Sequence, residues 1–190
     1  MDGSEASRDI VLALLATRGH LRGDADPLLD DLVAQGYAIR IGDSVVLTSE
    51  GAREARETLL LGAEDPRRAA LTTYLPRFGV LDRRVRELCT SWQLLPDGTP
   101  NPHHPDYDAA VRRRLEALHR DALTHVHELA GTEPHLREYA DLLSEACTAF
   151  LAGDSAMLAS PVRASYHTVW MWLHQDLRLR LGLAPEDDET

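Results

Sequence analysis

The chain has 190 residues, 44 % hydrophobic and 27 % charged, with 20 basic residues against 31 acidic ones and a net charge of −11. This composition excludes a wholly disordered or collagen-like chain, and the length suits one large or two small domains whose core needs no disulfide, metal or cofactor. The longest apolar runs, such as Ile10 to Ala16, are far too short for a membrane span. The acidic, polar start Met1-Asp2-Gly3-Ser4-Glu5 lacks the basic region and apolar run of a secretory signal, so a cytoplasmic protein with no membrane partner is expected. Every basic residue is arginine, and Cys89 and Cys147 lie in apolar helical patterns that mark them as core thiols.

In chain order, Ile10, Val11, Leu14 and Leu15 recur at helical spacing before Gly19, which predicts a helix near 7–18. Asp26 then reads as an N-cap with Pro27 at the first helical position. Leu28, Leu29, Leu32 and Val33 form the buried stripe of a second helix that ends at Gly36. Tyr37 to Ile41 and Ser44 to Thr48 flank Gly42-Asp43, a two-residue connection suited to a tight hairpin. Ser49 caps a further helix through Ala52, Ala55 and Leu59 to about Leu61.

This order, closing on Leu47-Thr48-Ser49-Glu50-Gly51, resembles the winged-helix domains of MarR-like bacterial regulators. Such domains place three helices before the wing, the third entering the major groove, whereas only His20 to Ala25 separates the two clear helices here. The resemblance implies DNA binding, for which Arg22 and Arg40 are the nearby cations. Charge opposes it: residues 1–62 carry 6 arginines against 11 acids, and Asp24, Asp26, Asp30 and Asp31 surround the reading helix. The other use of such a scaffold is dimerisation or docking on another protein.

Glu64-Asp65-Pro66 marks a boundary, after which four helical segments follow. The first, about 66–94, is interrupted near Pro76 and carries Leu81, Val85, Leu88 and Trp92; the second, about 106–130, carries Val111, Leu115, Leu118, Ala122, Val126 and Leu129. The third, about 134–152, shows Leu136, Tyr139, Leu143, Cys147 and Phe150, and the fourth, about 161–181, shows Tyr166, Val169, Trp170, Leu173, Leu177 and Leu181. Each has one apolar stripe, so the expected fold is mainly α: an N-terminal winged helix with a short hairpin over 1–63, an antiparallel four-helix bundle over 64–183 and an acidic tail over 184–190.

The last helix carries His167, Met171, His174 and Arg178 beside its core stripe. This second face is assigned first to packing or a dimer partner and then to a ligand. The loop from Leu94 to Pro105 holds four prolines, with Asp106 at its end as a cap for the next helix. A ligand site is expected where Trp92, Tyr107, His119, Tyr166, His167, Trp170 and His174 converge, at the loop-covered end of the bundle. Asp121 and His125 with His167 and His174 have a spacing similar to the metal-binding helical sensor domains of some GntR-family regulators, but the flanking pattern does not match and no metal is assigned. No sequence motif for a nucleophile, a phosphate loop or a zinc site is present, so catalysis is not expected and a His/Asp general base in the bundle ranks last.

From Cys89-Thr90-x-Trp92-Gln93 through Asp97-Gly98-x-Pro100-Asn101-x-His103 to Ser165-Tyr166-His167-Thr168-Val169-Trp170, the chain looks like a helical region of actinobacterial winged-helix proteins. That region is also attached to some proteins related to pyruvate, phosphate dikinase. The resemblance implies an accessory or regulatory part and transfers no catalytic residue. The leading expectation is therefore a homodimeric winged-helix regulator, transcription-regulator-like, whose bundle senses a small ligand or forms the dimer. The alternative is an accessory protein that docks on a phosphoenolpyruvate- or pyruvate dikinase-related enzyme without binding DNA.

Overall fold

The computed structural model describes residues 3–23 and 26–183. Helix α1 spans Gly3–Arg18, a turn earlier than the apolar spacing marks, followed by strand β1 (Leu21–Arg22), helix α2 (Pro27–Ala34), strands β2 (Ala38–Ile41) and β3 (Ser44–Leu47), and helix α3 (Ser49–Leu59). Asp26 caps α2 as expected, its Oδ1 accepting the Leu28 N–H at 2.9 Å with Pro27 in the first turn. The cap of α3 is Thr48 and not Ser49: Thr48 Oγ1 accepts the Gly51 N–H at 3.0 Å and donates to the Gly36 carbonyl at 2.8 Å. The cap thereby ties the start of α3 to the end of the α2 region.

The sheet is antiparallel in the order β1-β3-β2, with Ile41 opposite Ser44 across the hairpin turn. Of the two turn residues only Gly42 takes positive φ (63°), the pattern of a type II′ turn, whose first central position needs glycine. Strand β1 has no counterpart in the sequence reading. Two residues are too few to show alternation, and Leu21 and Arg22 are strand only because β3 offers Val45 and Ser44 as partners. Leu12, Leu15, Leu29, Leu32, Val45 and Leu59 form the core of this part, with Leu179 packed against it.

The helical part comprises α4 (Pro66–Gln93), α5 (Pro105–Thr132), a 3₁₀ turn (Pro134–Leu136), α6 (Arg137–Leu151), α7 (Ala156–Ala159) and α8 (Tyr166–Leu181). The expected interruption at Pro76 does not occur, because buried Leu71 and Phe78 anchor α4 on either side and their burial outweighs one missing backbone hydrogen bond. The fourth segment starts five residues later than expected. Ser165 Oγ accepts the Thr168 N–H and donates to the Ser160 carbonyl, which caps α8 and leaves α7 as a separate turn. The N-cap of α5 is His104 and not Asp106, which lies in the first turn. The apolar stripes read from the sequence are buried, with Leu115, Leu129, Leu143, Phe150, Tyr166 and Trp170 fully enclosed.

The described residues form two compact units: residues 3–23, 26–68 and 174–183, and Ala69–Leu173. The sequence boundary at 63/64 gave all of the last helix to the helical part. The structure gives its C-terminal half to the first unit, where the Arg180 carbonyl accepts the Leu61 N–H at 2.9 Å. Among the described residues no helix is long and apolar enough to cross a membrane. The acidic tail lies outside the described residues.

Candidate functional site

The second unit buries several of the polar and aromatic side chains singled out above. Trp170 stacks on Phe78 with ring centroids 4.8 Å apart and planes 3° from parallel, and its indole N–H donates to Asp82 Oδ1 at 3.0 Å. Arg86, one turn further along α4, lies 2.5 Å from Asp82 Oδ2 with its own side chain 56 % exposed. A carboxylate that is 4 % exposed therefore sits where α4 meets α8, with each oxygen engaged. Both oxygens are committed, which makes Asp82 an anchor for the indole and not an available base. Replacing Asp82 with alanine leaves a buried indole N–H without its acceptor and should cost about 2 kcal/mol, measured by urea unfolding followed through tryptophan fluorescence. Asp82→Asn retains an acceptor oxygen and should lose less than half as much.

His167 is half-buried, three residues before Trp170 on α8. Burial lowers its pKa, with Asp82 acting to raise it and Arg86 to lower it. His119 Nδ1 and the Tyr166 hydroxyl share a hydrogen bond at 3.3 Å, with the rings edge to face. Burial lowers the His119 pKa and raises that of Tyr166, so both are neutral at pH 7. The thiols are pushed up to about 12 at Cys89 and about 11 at Cys147, in each case chiefly by burial, which leaves them protonated and unreactive as the core reading expected.

The loop between α4 and α5 is held by its own side chains. Buried Asn101 donates through Nδ2 to the Trp92 carbonyl and to Asp108 Oδ1, both at 3.0 Å, and accepts the His103 N–H at 2.9 Å. These contacts hold His103 at φ 60°, left-handed backbone that a residue with a Cβ seldom adopts. Trp92 packs between His103 and Phe150, at 4.9 and 4.8 Å, and the Tyr107 hydroxyl donates to the Leu94 carbonyl at 3.2 Å. Arg112 lies over the Phe150 ring at 4.8 Å and donates to the Phe150 carbonyl.

The seven candidate ligand residues thus occupy several places. Helices α4 and α5 run antiparallel, with Ser91 bonded to Arg114, Arg84 to Asp121 and Arg77 to Glu128. Those contacts span 14 residues of α4, about 21 Å at the helical rise. Trp92 and Tyr107 stand at the loop end, the His119–Tyr166 pair lies further along, and Trp170 meets Asp82 beyond it. His174 belongs to the other unit. Helical spacing fixes which side of a helix each residue takes, but on helices of 28 residues it leaves the axial level open, and the expected convergence depended on that level.

His125 has no counterpart among the assigned residues. It is fully buried beside Tyr74 and Phe78, at ring distances of 5.7 and 6.1 Å, and among the described residues neither ring nitrogen has a hydrogen-bond partner. Burial, with help from Arg77, lowers its pKa to about 4 against a smaller opposing pull from Glu128. Asp121 is paired with Arg84 at 2.8 Å, and among the described residues no three His, Cys, Asp or Glu side chains gather as metal ligands do. Asp82 and Asn101 also escaped the sequence assignment. The available signals were a carboxylate four residues after Phe78 and four before Arg86, and the chain's single asparagine.

In the first unit, the two arginines assigned to DNA are both engaged by acids. Arg40 pairs with Asp30 and donates to the Gly23 carbonyl at 2.8 Å; Arg22 Nε lies 3.7 Å from Asp43 Oδ2. Helix α2 is only eight residues long and carries Asp30 and Asp31. Compared with known protein families, characterised proteins and solved structures, the chain matches none of them.

Proposed function

We propose that this chain is a regulatory protein whose first unit is a winged helix that works through protein contact and not through base readout. The order α1-β1-α2-β2-β3-α3 with β1 beside β3 supports the winged-helix part of this reading. The observation that carries the rest is the pairing of Arg40 with Asp30, on the elements a winged helix turns toward a duplex, with Asp43 lying 3.7 Å from the exposed Arg22. A cation held by a neighbouring carboxylate must give up that partner to neutralise a phosphate, and the acids left behind repel the next phosphate. The aromatic residues of the second unit are engaged in packing and internal hydrogen bonds, which favours an antiparallel helical bundle used as a scaffold over one used as a sensor.

Fluorescence anisotropy of a generic labelled duplex, titrated with the full chain at low salt, tests this reading without a known operator. No saturable binding is expected. Affinity that appears at low salt and falls steeply as salt rises would overturn it, because that dependence reports a working cationic surface.

A further inference from the structure

We propose that His125 is an acid-operated latch on α4: when its ring takes up a proton, the stretch of α4 around Tyr74 lifts from α5 about Pro76 while the rest of the second unit stays folded. Tyr74 and Phe78, whose rings cover His125 at 5.7 and 6.1 Å, are one turn apart on α4 and stand on either side of Pro76. Proline has no N–H to offer the Thr72 carbonyl four residues back, and Gly79, three residues on, adds a second position of low helix propensity. The helix is thus weakened in its backbone where it covers the imidazole. That imidazole is fully buried, and among the described residues neither nitrogen has a hydrogen-bond partner. Protonated in place, it would hold two N–H donors with nothing to accept them.

The charged groups acting on the ring are Arg77 of α4 and Glu128 of α5, and Tyr74 is the other titratable group against it. Arg77 donates to Glu128 Oε2 at 2.8 Å, a strap between α4 and α5 at the level of Pro76, and the same oxygen lies 3.8 Å from His125 Nδ1. A proton on His125 works against this strap twice, since the imidazolium repels the Arg77 guanidinium and competes with it for Glu128. With α4 in place, burial and Arg77 hold the ring at a pKa of about 4; with α4 lifted, water reaches the ring and its ordinary 6.5 returns. The lifted form therefore binds the proton first as pH falls. Above pH 6.5 the ring is neutral in both forms and the latch stays shut, whereas between pH 7 and pH 5 the opening constant rises about twentyfold.

Amide exchange of the full chain, normalised to the intrinsic rate at each pH and repeated over low urea concentrations, reads this opening. Amides of residues 73–79 should exchange about twentyfold faster at pH 5 than at pH 7, with almost no urea dependence, because a lifted turn exposes little surface. The slowest amides of α6 should instead show the steep urea dependence of global unfolding. His125→Phe should abolish the acid acceleration at 73–79. Pro76→Ala restores an N–H inside the helix and should slow exchange there about tenfold at pH 7 while the acid acceleration persists. Acceleration found only in amides with a steep urea slope would mean that His125 acts on global unfolding alone, and acceleration that survives His125→Phe would belong to another group. Either result overturns the latch. So does exchange at 73–79 that Pro76→Ala leaves unchanged, because the hinge would then lie elsewhere.

Discussion

Gly51→Ala is expected to destabilise the first unit by about 3 kcal/mol, at the upper end of what overpacking by one methyl group costs. A Cβ at this position would stand 1.8 Å from the Tyr37 carbonyl oxygen and 2.7 Å from its carbon, with Leu47 Cδ2 at 3.1 Å. The first two are backbone atoms and cannot rotate away. The Tyr37 carbonyl also accepts the Thr48 N–H at 2.9 Å and the Thr48 hydroxyl at 3.2 Å, so moving it disturbs the cap that starts α3. Glycine is required here by close approach, since the position lies in the first turn of a helix and carries no positive φ. Gly79, inside α4 with nothing within 4 Å of where a Cβ would stand, is the matched control. Gly79→Ala should stabilise by about 0.5–1 kcal/mol through helix propensity alone. Thermal unfolding followed by circular dichroism separates the two outcomes, and an unchanged midpoint for Gly51→Ala would refute the close approach.

The second large effect is a loss of stability with acid that traces to His125. Its pKa falls from the ordinary 6.5 to about 4 in the folded chain, so above pH 6.5 the ring is neutral in folded and unfolded states alike and adds no pH dependence. Between pH 6.5 and about 4 the unfolded chain takes up a proton that the folded chain refuses, and stability falls by about 3 kcal/mol in total. Below that window the contribution is constant. His125→Phe keeps the ring against Tyr74 and Phe78 while removing two buried nitrogens that bond to nothing among the described residues. It should flatten this part of the profile and gain about 1 kcal/mol or more at pH 7. His119 and His167 are shifted in the same direction and persist in both proteins, so the difference between the two profiles isolates His125. All three tryptophans lie in the second unit, which makes their fluorescence during urea unfolding at successive pH values the appropriate measurement. Parallel profiles for the two proteins would show that His125 is not the responsible group.

Much of this architecture is legible in one dimension because it follows from local rules. The α2 start is written in Asp26-Pro27, the hairpin in Gly42-Asp43, and the α4–α8 cores in apolar residues repeating at helical spacing. The departures arise where a distant partner decides. Strand β1 exists because β3 completes it, α4 continues past Pro76 because residues on both sides are buried, and Thr48 displaces Ser49 as cap because its hydroxyl also reaches Gly36.

The candidate site divides along the same line. Composition and periodicity identified the residue types and the helix faces that carry them, including the burial of Trp92, Tyr166 and Trp170. Only the tertiary structure set their axial levels, joined Trp170 to Asp82 and Tyr166 to His119, and left His125 enclosed without a hydrogen bond among the described residues. The net negative charge of the first third was plain from the sequence, but the pairing of Arg40 with Asp30 and Arg22 with Asp43 required the fold. Local sequence determines which surface a segment can bury; which polar group it meets there depends on contacts between residues far apart in the chain, and those contacts exist only once the elements have packed.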